Sequence, residues 1–201
     1  CESAVSLPAP VYEFGSFLVE KQSELADLRP LFPSKEYVGC DLREGPGVDM
    51  VLDLHDIELP GETAGSILSL DTFEHVEYPR KAIDELYRVL KPGGVLVISS
   101  VMIFPIHEFP HDYWRFTPDG FKSLLRVFEH SYVDYAGERL MPHTVVGLGF
   151  KGDVAEGTTE KLNGKLLPWK EKWKDVSVSK RSRIVKQFFG LFGLEVNRKP
   201  D

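Results

Sequence analysis

Cysteine is nearly missing from this chain, which holds two in 201 residues, Cys1 and Cys40. Two thiols cannot build the disulfide framework of a small secreted domain, and no Cys/His spacing matches a structural zinc site, so no metal is expected. Cys40 falls inside an apolar run, where a small buried thiol fits. Long hydrophobic stretches are missing too, and none approaches the ~20 residues that cross a bilayer. The opening Cys1-Glu2-Ser3-Ala4 has neither the basic n-region nor the apolar h-region of a secretory signal, so a cytoplasmic location is expected. The chain does not begin with Met, which leaves room for residues upstream. Repeats and low-complexity segments are absent as well.

Positive charge is scarce over most of the length. The net charge is −7, but it is unevenly spread. Residues 1–160 carry 13 Lys/Arg against 27 Asp/Glu, whereas residues 161–201 carry 11 against 4. An acidic body argues against nucleic acid as a partner, because phosphate backbones demand cations. At 42% hydrophobic and 27% charged residues, the composition is that of a globular domain with a real core.

Short apolar runs alternate with helical patterns through the first two thirds. Val11–Phe14, Tyr37–Cys40, Met50–Leu52, Ser66–Leu70 and Val95–Ser100 read as strands, and they are continuously apolar instead of alternating. That pattern predicts a parallel sheet covered on both faces. Ala82, Ile83, Leu86, Val89 and Leu90 recur at helical spacing, predicting a helix from about Pro79 to Leu90 that Lys91-Pro92-Gly93-Gly94 terminates. Thr117 and Pro118 suit the N-cap and first position of a second helix running to Leu125. Ser131–Tyr135 and Thr144–Phe150 are expected as late strands. The order predicts an α/β, Rossmann-like, doubly wound sheet of seven mostly parallel strands with a basic helical C-terminal extension. The domain is expected over residues 1–157, with 158–201 packing on it or facing a membrane or partner.

Four of these strands end at acidic residues: Glu13, Asp41, Asp53 and Asp71. Ligands of open parallel sheets bind beyond the carboxyl ends of the strands, so four carboxylates there suit a ligand rich in hydroxyls and amines that also carries positive charge. Glu13-Phe14-Gly15-Ser16, Tyr37-Val38-Gly39-Cys40-Asp41, Leu70-Asp71-Thr72-Phe73-Glu74-His75-Val76 and Arg88-Val89-Leu90-Lys91-Pro92-Gly93-Gly94 together resemble the class I S-adenosylmethionine-dependent methyltransferases of the Methyltransf_11-like group. The resemblance covers roughly residues 10–130. It implies S-adenosylmethionine as cofactor, with Glu13, Gly15 and Ser16 in the loop under its methionine part. It implies Asp41 on the ribose hydroxyls followed by Leu42, Asp53 and Leu54 beside the adenine, and Leu70 and Asp71 nearest the methyl group. One departure stands out: the usual glycine-rich loop keeps only Gly15, and Phe17 and Leu18 must either turn away or narrow the pocket.

The segment His107-Glu108-Phe109-Pro110-His111-Asp112-Tyr113-Trp114-Arg115-Phe116-Thr117-Pro118 is too aromatic and charged for a plain connector. It resembles a segment found in a subset of these methyltransferases, and is expected over the acceptor entrance. Tyr113, Trp114 and Arg115 are the candidate acceptor contacts, through aromatic walls and an anion-holding guanidinium. The same aromatic residues also suit a packed lid. His111, and His75 in the Glu74-His75 pair, are the candidate general bases; His107 is a further one, and capping is the alternative for each. The expected reaction is methyl transfer to an O or N nucleophile of a small molecule or glycan; a catalytically silent binding or scaffold protein is the alternative that the eroded loop suggests. The stretch Lys180–Phe192 reads as an amphipathic helix, docking on the acidic body or resting on the inner face of an anionic membrane. Oligomeric state is not legible.

Overall fold

The protein is described from a computed structural model, over residues 6–19, 26–107 and 110–172. The Lys180–Phe192 stretch lies outside the described residues. Seven strands form one sheet: β1 (Val11–Phe14), β2 (Tyr37–Asp41), β3 (Met50–Val51), β4 (Ala64–Leu70), β5 (Leu90–Val101), β6 (His130–Gly137) and β7 (Pro142–Phe150). Their order is β3-β2-β1-β4-β5-β7-β6. The first five run parallel, and β7 lies antiparallel to both β5 and β6. Among the described residues three helices, of 11, 7 and 15 residues, accompany it: α1 (Pro79–Val89), α2 (Pro118–Leu124) and α3 (Thr158–Lys172).

Alternation along the strands divides the core between the two sheet faces. Leu96 and Ile98 of β5 join Phe14, Ile67, the α1 residues Ala82, Ile83, Leu86 and Val89, and Phe121 of α2. Val95 and Val97 join Val11, Leu68, Val146 and Leu148, with Leu162, Leu166 and Trp169 of α3 on the same side. Both faces are therefore covered, which is why the parallel strands carry no polar alternation. The opening part of the basic extension is integral to this second layer.

Local chemistry sets the element ends. Thr117 caps α2, its hydroxyl accepting from the Gly120 amide at 3.1 Å. The helix α1 stops at Val89, and Lys91-Pro92-Gly93-Gly94 belongs to the strand span instead of a separate turn. It forms a bulge: Ala64 pairs with Leu90, but Ser66 pairs with Val95. Arg88, from the signature segment, ties α1 to the chain before β4 by donating to the carbonyls of Ile57 (2.7 Å) and Leu59 (2.8 Å) while paired with Glu85.

Candidate cofactor and acceptor site

The strand order reverses between β1 and β4, so the carboxyl tips of β2, β1 and β4 stand side by side at the switch point. Glu13 pairs in register with Gly39 on one side and Leu68 on the other. The turn Gly15-Ser16, Asp41 and Asp71 consequently emerge from three neighbouring, hydrogen-bonded strands.

Gly15 explains itself by geometry. Its φ is +92°, and a Cβ there would stand 2.2 Å from Thr72 Oγ1. The turn is thus pressed against the segment leaving β4, and Thr72 donates to the Phe14 carbonyl at 3.2 Å. Ser16 follows with its amide on the Cys40 carbonyl (3.1 Å) and its side chain buried. Its hydroxyl has no hydrogen-bond partner among the described residues. An unmade hydrogen bond at a buried hydroxyl is costly, and a polar ligand reaching this turn would remove the cost.

Glu13 is 8% exposed, and its carboxyl accepts from the Tyr37 hydroxyl. Burial pushes its pKa up to about 8, the Tyr37 hydrogen bond and the Arg29 guanidinium pulling the other way. Arg29 stacks 5.3 Å above the Tyr37 ring and bonds Asp49 at 2.6 Å and the Gly47 carbonyl at 2.9 Å. Asp49 also accepts from the Gly39 amide at 2.7 Å, and these two donors hold its carboxyl below the usual range despite some desolvation. Neither Arg29 nor Asp49 stood out in the sequence, because neither ends a strand or belongs to a recognisable motif. Only the long-range pairing assembles this Glu13–Tyr37–Arg29–Asp49 chain beneath the turn.

Asp41 ends β2 with its side chain 10% exposed. Oδ2 accepts from the Phe17 amide at 3.3 Å, and Oδ1 from the Arg43 amide and Nε at 3.1 and 3.3 Å. Leu42, next to it, is 54% exposed, a large apolar side chain presented at the strand tip. Phe17 and Leu18 turn onto the facing loop: their side chains occupy the space that a Cβ on Gly45 or Gly47 would need, and Arg43 covers the Phe17 ring at 4.3 Å. The close approach that the first loop lost with its glycines is provided by glycines on the opposite side.

Asp53 lies two residues beyond β3, about half exposed, accepting from the His55 amide (2.8 Å) and pairing with its Nδ1 (2.7 Å). His55 Nε2 accepts from the Tyr78 amide at 3.2 Å, so the ring proton sits on Nδ1. This is turn capping of the kind the neighbouring Asp56 suggests. Leu54 is buried in the core. Asp71 takes a left-handed φ of +49°, uncommon for a residue other than glycine. Its amide donates to the Ser99 carbonyl (2.9 Å), and Ser99 Oγ donates to its carboxylate (3.2 Å). Leu70 is half-buried beside it.

The aromatic segment crosses the turn that follows β4. The Tyr113 and Trp114 amides donate to the Glu74 carbonyl at 2.7 and 3.2 Å, and the Trp114 indole N–H to the Val76 carbonyl at 2.9 Å. Tyr113 and Trp114 remain 41% and 43% exposed, while Phe116 is buried. Arg115 is engaged throughout. It forms a two-pronged pair with Asp112 and donates to the carbonyls of Phe104, Pro105 and Trp114, so the guanidinium fixes the loop's shape. These contacts hold the Asp112 carboxyl far below the usual carboxylate range. His111 is exposed, its ring 5.6 Å from Tyr113, and its carbonyl accepts from His75 Nδ1.

Residues 24–98 match the family model described as a methyltransferase domain, Methyltransf_11. Several solved structures share the fold. A chain from the complex between the Haloferax volcanii Trm112 methyltransferase activator and a methyltransferase superposes with a TM-score of 0.55 at 15% identity, covering 77% of this chain and 86% of that one. A SAM-dependent methyltransferase from Thermotoga maritima gives 0.52 at 20% identity, covering 72% and 84%. A SAM-dependent methyltransferase from Archaeoglobus fulgidus gives 0.55 at 14%, covering 70% and 85%. No curated protein matches the sequence. At these identities the solved structures establish the fold, a seven-stranded sheet with flanking helices.

Proposed function

We propose that this chain, a class I S-adenosylmethionine-dependent methyltransferase by its fold and by the family domain in residues 24–98, transfers a methyl group to an O or N nucleophile of a small molecule or glycan. The observation that carries the reading is the meeting of the Gly15-Ser16 turn, Asp41 and Asp71 at adjacent strand tips beside the switch point. The buried, unpaired Ser16 hydroxyl and the exposed Leu42 are what a polar, ring-bearing cofactor requires at that place.

The residues fit S-adenosylmethionine, which when bound supplies an electrophilic methyl on a sulfonium. Asp41 presents a carboxylate with two acceptor oxygens, suited to a vicinal diol. Leu42 offers an apolar surface to the adenine, with Leu54 and Asp53 on the neighbouring segment. The Gly15-Ser16 turn and Glu13 line the amino-acid end. Leu70 and Asp71 face the reacting side, where Ser99 and the left-handed backbone of Asp71 fix its carboxylate. Tyr113 and Trp114 wall the acceptor side, and Arg115 keeps their loop in place through Asp112. His111 is the candidate proton acceptor, and so is His75 through Nε2 for as long as nothing else occupies that nitrogen. The chain's contribution is chiefly alignment and exclusion of water, which suffices for an in-line displacement. Residues 1–157 would form the catalytic unit and 158–201 an extension. An acidic body disfavours nucleic acid as acceptor.

A scaffold function is the second reading, favoured by the engagement of Asp41 with Phe17 and Arg43. Calorimetry with S-adenosylmethionine and S-adenosylhomocysteine tests both. Heat of binding that Asp41→Asn weakens supports the enzyme; no heat from the intact chain overturns it.

A further inference from the structure

Sequence spacing gave no metal motif, yet the fold brings together Glu74, His75 and His107. One carboxylate oxygen and one ring nitrogen from each histidine lie within 4.8 Å of one another. Glu74 is fully buried, and Ser100 donates to its Oε2 at 2.7 Å. Its other oxygen, Oε1, faces His107 Nε2 at 3.9 Å, too far for a hydrogen bond.

The surroundings orient both rings. Asp112 Oδ2 accepts from the His107 amide (2.8 Å) and stands 3.2 Å from His107 Nδ1, while Arg115 locks that carboxylate. The Asp112 carboxylate and the Pro105 carbonyl, 3.2 Å from the same nitrogen, only accept, so Nδ1 carries a proton and Nε2 is the nitrogen turned towards Glu74. The His75 Nδ1 lies against the His111 carbonyl, which also only accepts, so this ring too carries its proton on Nδ1. Two histidines with Nδ1–H held by oxygen acceptors, beside a buried carboxylate, form the arrangement that second-shell groups impose on metal ligands. Plain packing would account for the edge-to-face ring pair at 4.7 Å, but not for two rings that both point Nδ1–H at an oxygen acceptor beside one buried carboxylate.

We propose that Glu74, His75 and His107 bind a divalent transition metal of the zinc class. Two imidazoles and one carboxylate are a zinc-type donor set with one position left for water or another oxygen. Alkaline-earth ions prefer all-oxygen shells and are disfavoured. Ligands at tetrahedral zinc distances stand about 3.3 Å apart, so the two half-buried histidines need only small rotations to close the site.

The test uses the full chain, stripped with chelator and titrated with Zn2+ against a competing metal indicator. Co2+ provides a second readout through its visible d–d absorption. The expected result is one ion per chain, with affinity reduced about 100-fold or more in His75→Ala and in His107→Ala. Asp112→Asn, which leaves all three ligands, should weaken binding about 10-fold or more. Circular dichroism of the histidine variants separates lost binding from lost folding. Absence of stoichiometric uptake by the folded intact chain overturns the site, as does uptake that either folded histidine variant retains in full.

Discussion

Replacing Glu13 by Gln is the most discriminating perturbation of the buried network. The folded protein holds this carboxyl with a pKa raised from an ordinary 4.5 to about 8, chiefly because burial disfavours the charge. The native state therefore binds a proton that the unfolded chain releases above about pH 4.5, and stability must fall as pH rises through that window. The slope is about 1.4 kcal/mol per pH unit, and the total approaches roughly 5 kcal/mol by the time the folded carboxyl ionises near pH 8. Gln keeps an oxygen for the Tyr37 hydroxyl but cannot ionise. Urea unfolding of both proteins from about pH 5 to about pH 9 measures the difference directly. The advantage of the wild type over Glu13→Gln should shrink by about 1.4 kcal/mol per unit between pH 5 and 8, reverse if it began small, and then level off. Parallel profiles across this range would refute the claim that a neutral carboxyl is buried beneath the turn.

Gly15→Ala should cost about 2 kcal/mol or more, since it adds a Cβ in left-handed backbone and 2.2 Å from Thr72 Oγ1. Adding Thr72→Ala should recover the overlap part but not the backbone part, as a double-mutant cycle in urea will show. Asp41→Asn should weaken S-adenosylmethionine binding about 10- to 100-fold by calorimetry, because a neutral amide makes poorer hydrogen bonds to a diol than a carboxylate. Trp169→Ala, removing a side chain only 4% exposed, should destabilise the whole chain by about 3–5 kcal/mol in a single transition. A separate, weaker transition would instead mark residues 158–172 as an appendage.

The sequence displayed the sheet plainly, because a strand covered on both faces must be apolar throughout, and Val95–Ser100 can be little else. It displayed α1 through its apolar spacing, and the Thr117-Pro118 start of α2 through the cap. The Lys91-Pro92-Gly93-Gly94 segment misleads for a local reason. Glycine and proline signal a turn, but β4 pairing on either side, at Leu90 and Val95, and backbone bonds from Gly93 and Gly94 to Lys151, just past β7, hold these residues in a bulge of the strand. The acids Glu13, next to last in β1, Asp41, last in β2, and Asp71, just past β4, were legible because position near a strand's carboxyl end is itself a sequence property. Arg29, Asp49 and Tyr37 were not, since their roles depend on partners 10 to 24 residues away.

What the sequence determined alone was periodicity, capping and the acidic tips, all consequences of near neighbours along the chain. The tertiary structure decided which carboxylate is neutral, where Phe17 and Leu18 turn, and that Arg115 braces a loop. It also decided that Glu74 and His75 meet a histidine 32 residues further on, at His107. Burial and convergence arise only when distant segments pack, and no local pattern encodes them.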